Sequence, residues 1–454
     1  MNKEKRLKMM REEKIPKVLI KLALPAIIGM LLTAIYNIVD TLFVSMLGTK
    51  AIGAISVVYP LFLLLTGIGL MYGMGSASFV SRLLGEKRNQ KANEVASTTF
   101  ITSIASAFIV TFLLLIFLIP ILKLFGATDT IMPFAFNYGK ILSMGAIFTI
   151  INMVMNNLLR AEGSAKYSMI ALATGALLNI ALDPIFIFTL GLGIKGAAIA
   201  TVLAQSISTI LLLSFFVNRK SLLHISIKHF KPSKSLYKEL YKIGIPTFIR
   251  QFLMSISMGM INTAASPYGD AAIASMGITA RVFSLVAMII FGYSQGFQPI
   301  AGFSYGANNI YRLKEAIKSS ITWTVIFCTI SSIIYIVFAP QIIGIFSSDP
   351  SVIDIGIKAL RAIMIMFPLF GFQTIYATLF QALGKGKQAA LLSLSRQGIF
   401  LIPTILILPS LFGINGVLFS QPVADLLTII LTGVFAYYIH KQLNALELKN
   451  KLLN

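Results

Sequence analysis

The chain has 454 residues, of which 57% are apolar and only 12% charged, and its mean hydropathy is +0.85. An ordinary soluble domain carries about 25% charged residues and could not bury so much apolar surface, so a water-soluble enzyme is excluded. The formal net charge of +22 would suggest nucleic acid in a soluble chain, and the single cysteine, Cys328, excludes an intramolecular disulfide and a Cys-based metal site.

A helix that crosses a bilayer needs about 20 predominantly apolar residues. Twelve such stretches follow one another, near 22–46, 53–75, 95–119, 133–158, 167–189 and 195–217, then 243–267, 273–298, 317–341, 356–380, 388–411 and 414–438. The basic and then apolar start resembles a signal peptide, but no small-residue cleavage site follows, and it reads as a retained first helix. The expected fold is an all-α integral membrane protein of twelve transmembrane helices, with no soluble domain inserted.

The basic residues alternate in their placement. Segments 1–21, 76–94, 159–166, 218–242, 299–318, 381–387 and 439–454 hold 29 of the 38 Lys and Arg. The alternate connections hold Lys50, Lys123, Lys195, Lys358 and Arg361. Lys/Arg excess marks cytoplasmic loops, so a multi-pass protein of the plasma membrane with both termini in the cytoplasm is expected. The net charge is then a topology signal with attraction to anionic lipid, and no nucleic-acid partner is expected.

The halves repeat at an offset of 221 residues. Pro25 pairs with Pro246, Gly48 with Gly269, Ala51-Ile52 with Ala272-Ile273, Gly75 with Gly296 and Gly85 with Gly306. Further on, Ala161, Gly163 and Lys166 pair with Ala382, Gly384 and Lys387. Six spans is an even number, so both halves enter from the same side. This is a parallel internal repeat of two six-helix bundles, 1–217 and 243–454, joined by a cytoplasmic linker at 218–242. Within the linker, Lys238-Glu239 and Tyr241 suggest a short interfacial helix before Pro246.

Ionisable residues inside the membrane are costly and are functional suspects. Three carboxylates fall clearly within spans: Asp40, Asp183 and Asp425. Asp40 and Asp183 each lie about six residues before the outer end of their spans, and Thr201 about six residues after re-entry, so all three sit about 9 Å below the outer surface. Asn179 shares a helix face with Asp183, as Tyr36 and Asn37 do with Asp40. Thr201, Gln205 and Ser208 make a third polar face, and Asn152 and Asn156 a fourth. Two carboxylates close together in low dielectric require a shared proton or a cation between them. A proton- or Na⁺-coupling site is therefore expected at Asp40, Asn179, Asp183 and Thr201, beside a role in stapling helices. In the second half, Asp425 and Arg281 fall at similar depth and read as an internal pair. Arg250, Arg281 and Arg396 together suggest a basic lining suited to an anionic substrate group, and Arg250-Gln251 and Arg396-Gln397 repeat a dipeptide.

No acid–base or metal constellation points to an enzyme. No Walker P-loop is present, and the three histidines, His224, His229 and His440, lie in predicted cytoplasmic segments. Coupling must then come from an ion gradient. Taken together, Pro25, Asp40, the run Leu178-Asn179-x-x-Leu182-Asp183-Pro184, the glycines Gly191, Gly193 and Gly196, and Gln295-Gly296-Phe297-Gln298-Pro299 with Gly306 resemble the multidrug and toxic compound extrusion family, in its Gram-positive exporter branch. The resemblance implies antiport, amphipathic drug out and H⁺ or Na⁺ in, by rocking between two bundles, with no other cofactor. It also implies that Asp40, Asn179, Asp183 and Thr201 form the coupling-ion network of the DNA-damage-inducible branch, and that Pro25 is a hinge. Another branch places carboxylates in spans 7 and 10, where this chain has none and carries Arg250 instead. A monomer is expected. The alternative within the wider superfamily is a flippase of lipid-linked precursors.

Overall fold

The computed structural model describes residues 3–453 as α-helices joined by short turns, with no strand among the described residues. In order they are α1 (Lys3–Glu12), α2 (Ile15–Ser45), α3 (Thr49–Gly85), α4 (Asn89–Leu124), α5 (Met132–Met144), α6 (Ala146–Ala161), α7 (Ala165–Pro184) and α8 (Ile194–Val217), followed by α9 (Lys234–Ala265), α10 (Asp270–Gly306), α11 (Ile310–Val337), α12 (Ala339–Gly344), α13 (Pro350–Ala382), α14 (Gly386–Leu394), α15 (Leu401–Phe412) and α16 (Ile414–Leu453). Short π-helical turns follow α7 (Ile185–Thr189) and α14 (Ser395–Ile399).

The twelve expected passes correspond to α2, α3, α4, α5–α6, α7, α8, α9, α10, α11, α13, α14–α15 and α16. Nine of the described helices are long and apolar enough to cross a membrane, and α5 with α6 makes a tenth, bent by 49°. Helices α9 and α13 have the length, 32 and 33 residues, without that apolarity. The bend falls at Gly145, where a Cβ would stand 2.9 Å from Cγ1 of Val202, so the glycine is what lets α8 pack into the break. Helix α9 starts within the expected linker and runs unbroken through Pro246, which replaces the expected short interfacial helix with the first turns of a span.

The backbone carries the repeat. Left-handed residues recur at the same offset: Gly48 (φ 97°) with Gly269 (φ 89°), Lys87 (φ 60°) with Asn308 (φ 55°), and Gly163 (φ 84°) with Gly384 (φ 68°). Each lies in a turn between long helices, where a left-handed residue reverses the chain in the fewest steps.

The halves form two lobes, α2–α8 and α9–α16, that meet at the end bearing the basic connections. There α3 crosses α10: a Cβ on Gly85 would lie 2.8 Å from the Ala307 nitrogen, and one on Gly306 would lie 2.8 Å from the Arg82 carbonyl carbon. Gly292 and Gly296 abut the α2 backbone at Ile27 and Ala23, and Gly244 abuts Met71. Arg82 bonds Glu239 at 3.2 Å, and the Ser78 hydroxyl donates to the Gln381 carbonyl. Small residues are what allow membrane helices this close an approach. A core of Tyr72, Leu84, Phe297, Phe303 and Leu379 seals this end. Toward the other end no hydrogen bond or ion pair joins the lobes among the described residues, and Ile38, Tyr59, Met254 and Ile256 are exposed. The lobes thus enclose a cleft closed on the side of the basic connections.

Candidate functional site

The four suspected coupling residues come together inside the first lobe. Asn179 and Asp183 project from α7 one turn apart, and the Asn179 amide donates to Asp183 Oδ1 at 3.3 Å and to the Thr201 hydroxyl of α8 at 3.4 Å. Thr201 in turn donates to the Ala197 carbonyl at 3.0 Å. Asp40 arrives from α2, its carboxyl within hydrogen-bonding range of that of Asp183. Asp40 lies 11 residues beyond Gly29, whose face abuts Leu172 of α7, so an α-helical turn of 100° per residue brings the two positions within about 20° of one another. That periodicity turns Asp40 into the lobe rather than toward the cleft.

Asp183 is fully buried, Asn179 and Thr201 are buried, and Asp40 is half-buried. Three oxygens here have no donor: Asp40 Oδ1, Asn179 Oδ1 and Asp183 Oδ2. Two carboxyls in range of each other form a hydrogen bond only when one of them holds a proton. Otherwise their charges face each other in a medium that screens them poorly. The site therefore has capacity for one cation: a proton between the carboxyls, or a small hard metal ion among oxygens. Oxygen ligands of this kind suit a hard cation. No group of three or more His, Cys, Asp or Glu gathers anywhere among the described residues.

The local backbone explains the placement. Pro184 has no N–H, and the chain beyond it widens into the π turn, closed by the Leu190 N–H on the Ile185 carbonyl at 2.9 Å. Tyr36 of α2 and Tyr138 of α5 both lie within electrostatic reach of the two carboxylates. Asn37 does not join them: it is exposed and donates to the Thr33 carbonyl of its own helix at 2.8 Å.

Asn152, Asn156 and Gln205 form a separate, closed network. The Asn152 amide donates to the hydroxyls of Ser208 and Thr209 at 2.9 and 3.3 Å, and the Asn156 amide donates to Asn152 Oδ1 at 2.7 Å. Ser168 donates to Asn156 Oδ1 at 2.7 Å, and Thr149 to Gln205 Oε1 at 2.5 Å. Their partners come from α6, α7 and α8, so these residues staple the helices that present Asn179, Asp183 and Thr201.

In the second lobe the expected Asp425–Arg281 pair is replaced by another. Arg396 Nε donates to Asp425 Oδ1 at 2.8 Å and Nη2 to Oδ2 at 3.3 Å, while Gln421 donates to the same carboxylate at 2.8 Å. The guanidinium lies 4.7 Å from the Phe370 ring centroid and 5.2 Å from that of Phe283. Equal depth gave Asp425 and Arg281 a common height but not a common direction. Arg396 sits in the π turn after α14, whose wider coil points it at α16. Arg281 is exposed and, 11 residues from Gly292, lies within about 20° of the face that α10 turns to α2. Arg281 therefore lines the cleft. Arg250 is half-buried on the face of Ser257, which donates to the Gln397 carbonyl at 2.5 Å. Pro25 lies inside α2, which continues through it without a break.

The MatE family model matches this chain twice, over residues 25–185 and 246–407. The chain belongs to the MatE family. The two matches begin 221 residues apart, the offset already read in the sequence. This MatE chain is 31% identical over 442 residues to the multidrug export protein MepA of Staphylococcus haemolyticus, covering 97% of both chains. It is also 31% identical to the MepA of Staphylococcus aureus strain MRSA252 over 428 residues, 94% of each. A solved structure described as the outward-facing conformation of a multidrug resistance MATE family transporter of the MOP superfamily superposes with a TM-score of 0.91 at 27% identity, over 98% of this chain and 99% of that one.

Tyr138, within electrostatic reach of both carboxylates, is a residue that the sequence reading did not single out. The available signal was its burial-compatible setting between Ala135 and Leu142 on one face of α5.

Proposed function

We propose that this MatE chain is a multi-pass plasma-membrane transporter that exports amphipathic organic compounds in exchange for H⁺ or Na⁺ by alternating access. The observation that carries this reading is the pair of facing carboxyls, each with an oxygen that has no donor, beside the donorless Oδ1 of Asn179. The export activity of the MepA relatives supports the choice of substrate class. Both termini lie in the cytoplasm, since the basic connections share their side, and the cleft then faces outward. Residues 1–217 and 243–454 act as the two moving bundles, with 218–242 as the linker, and one chain suffices.

In this reading the coupling ion enters from outside and binds between Asp40 and Asp183. Asn179 Oδ1 and the Thr201 hydroxyl complete an oxygen shell for Na⁺; for H⁺, one carboxyl donates to the other. Neutralising the pair removes the repulsion between the α2 and α7 carboxyls, and α2 bends about Pro25, where the backbone hydrogen-bond ladder has a gap. Substrate lies in the cleft beside Tyr59 and Arg281, and the movement of α2 displaces it outward. Arg396 and Asp425 hold the second lobe together behind it.

Reconstitution into proteoliposomes under an imposed pH gradient or Na⁺ gradient tests the assignment. Asp40→Asn and Asp183→Asn are expected to abolish gradient-driven dye export while leaving the protein folded. Export by Asp40→Asn at the wild-type rate rules the site out.

A further inference from the structure

Helix α1 lies across the closed end and is held there by two unequal sets of bonds. On the side of the first lobe, Arg6 is only 2% exposed. Its Nη1 donates to Glu162 Oε1 at 2.7 Å and to the Ser164 hydroxyl, and its Nη2 to the Lys220 carbonyl. Glu162 is fully buried, and its other oxygen accepts from the Ser221 hydroxyl at 2.6 Å and from the backbone N–H groups of Leu222 at 2.6 Å and Leu223 at 3.2 Å. Arg6 also faces the Phe215 ring at 5.6 Å. One buried ion pair thus ties α1 to the turn after α6 and to the linker. A buried, hydrogen-bonded ion pair is costly to break, because either partner left alone is a charge without solvent.

The attachment to the second lobe is thinner. Arg312 of α11 donates from Nε to the Met10 carbonyl at 2.9 Å and from Nη2 to the Met9 carbonyl at 3.2 Å. These carbonyls belong to the last turn of α1, where the helix leaves them without partners and carries its negative pole. Met9 and Met10 themselves are fully buried in the core that seals the closed end. The cleft cannot open on this side while α1 bonds both lobes. Of the two attachments, the pair of bonds from Arg312 is the weaker: Arg312 holds two neutral carbonyls, so parting there separates no opposite charges, whereas Arg6 holds a fully buried carboxylate.

We propose that α1 is a bolt across the closed end: Arg6 and Glu162 fix it permanently to the first lobe and linker, and Arg312 is the catch that engages the second lobe, so these positioning residues set which side the cleft faces. The inference rests on alternating access as read above and adds the element that holds the resting state.

Nitroxide labels at the exposed positions Gln90 on α4 and Lys318 on α11 report the separation of the lobes at this end. Measured by electron–electron double resonance on the full chain in lipid nanodiscs, the wild type is expected to give mainly the short separation. Arg312→Ala should raise the widely separated fraction at least about tenfold, the effect of losing even one hydrogen bond from a charged donor. Arg312→Gln, which keeps a donor and preserves folding if the alanine variant does not, should fall between them. In the same variants the amides of Leu222 and Leu223 should stay protected from hydrogen exchange, because α1 remains on the first lobe. A merely structural role lowers the melting temperature and leaves the distance distribution unmoved. Unchanged distances in both variants overturn the proposal, as does loss of protection at Leu222 and Leu223. Neither drug nor gradient is needed, so a wild type that fails to export leaves this test valid, and unchanged distances alongside active export refute the bolt alone.

Discussion

Replacing Gly306 by alanine should open the closed end without unfolding either lobe. A Cβ there would lie 2.8 Å from the carbonyl carbon of Arg82 and 2.9 Å from its Cα, both backbone atoms of the opposite lobe. Ordinary contact needs about 3.5–4 Å, so α10 must retreat from α3 by an ångström or so, and no flexible side chain can give way instead. Overpacking of this kind costs about 1–3 kcal/mol. Because the clash lies between lobes, the cost falls on the closed state alone and moves the equilibrium toward separation about 5- to 150-fold. Gly85→Ala, whose Cβ would lie 2.8 Å from the Ala307 nitrogen, should do the same. The double variant should add little to either single one, since the first substitution already parts the contact. Gly433→Ala in α16, where nothing lies within 4 Å, is the control. The distance between labels at the closed end, read alongside the melting temperature, decides the matter. If Gly306→Ala keeps the wild-type distance distribution and export rate, the reasoning from backbone contact to conformational bias is wrong.

Four further outcomes are expected. Asp425→Ala strands the guanidinium of Arg396 and should cost about 3–5 kcal/mol in thermal unfolding, whereas the joint change Arg396→Met with Asp425→Leu should recover most of that loss. Asn156→Ala removes the acceptor of Ser168 and the bond to Asn152 and should cost about 1–3 kcal/mol, with ion-dependent export weakened through the helices rather than lost. Tyr138→Phe should leave stability near wild type and alter the concentration of H⁺ or Na⁺ that half-activates export, measured in proteoliposomes. Burial holds His224 below its ordinary proton affinity, helped by Lys3 and Arg219. A base with a depressed folded value binds protons more readily when undocked, so docking of the linker onto α4 is fully stable above about pH 6.5 and weakens as pH falls through that value. The protection factors of the Leu223 and Ser226 amides, taken relative to intrinsic exchange at each pH, should fall at pH 5.5, and His224→Gln should remove that dependence.

The parts legible in the sequence were those written in composition. Asp40, Asn179, Asp183 and Thr201 stand out because a polar residue in an apolar run is rare and costly, and counting from span ends gave their common height. Counting gave no direction around the helix, which is why Asp425 was matched to Arg281 when Arg396 holds it; the i−3 spacing that grouped Asn37 with Asp40 does not tell a side chain that enters the lobe from one that bonds back to its own helix. The offset of 221 was visible because glycine recurs at two of the three paired left-handed turns and at the backbone crossings. The two π turns left no mark, since a widened turn differs from an α turn by backbone geometry rather than by residue type. Helix α1 read as a basic tail: nothing in Lys3–Glu12 says that Arg6 turns inward to a carboxylate 156 positions away.

The crossing of α3 and α10 has a form usually met between subunits. Gly85 approaches Phe303 while Gly306 approaches Arg82, so each half offers the other the same patch, as in a two-fold homodimer. Here the linker joins the partners covalently, which keeps each at an effective concentration on the order of millimolar about the other. Such an interface has no need of affinity to stay assembled. It can rest on a few bonds and a row of close backbone contacts without the two halves drifting apart.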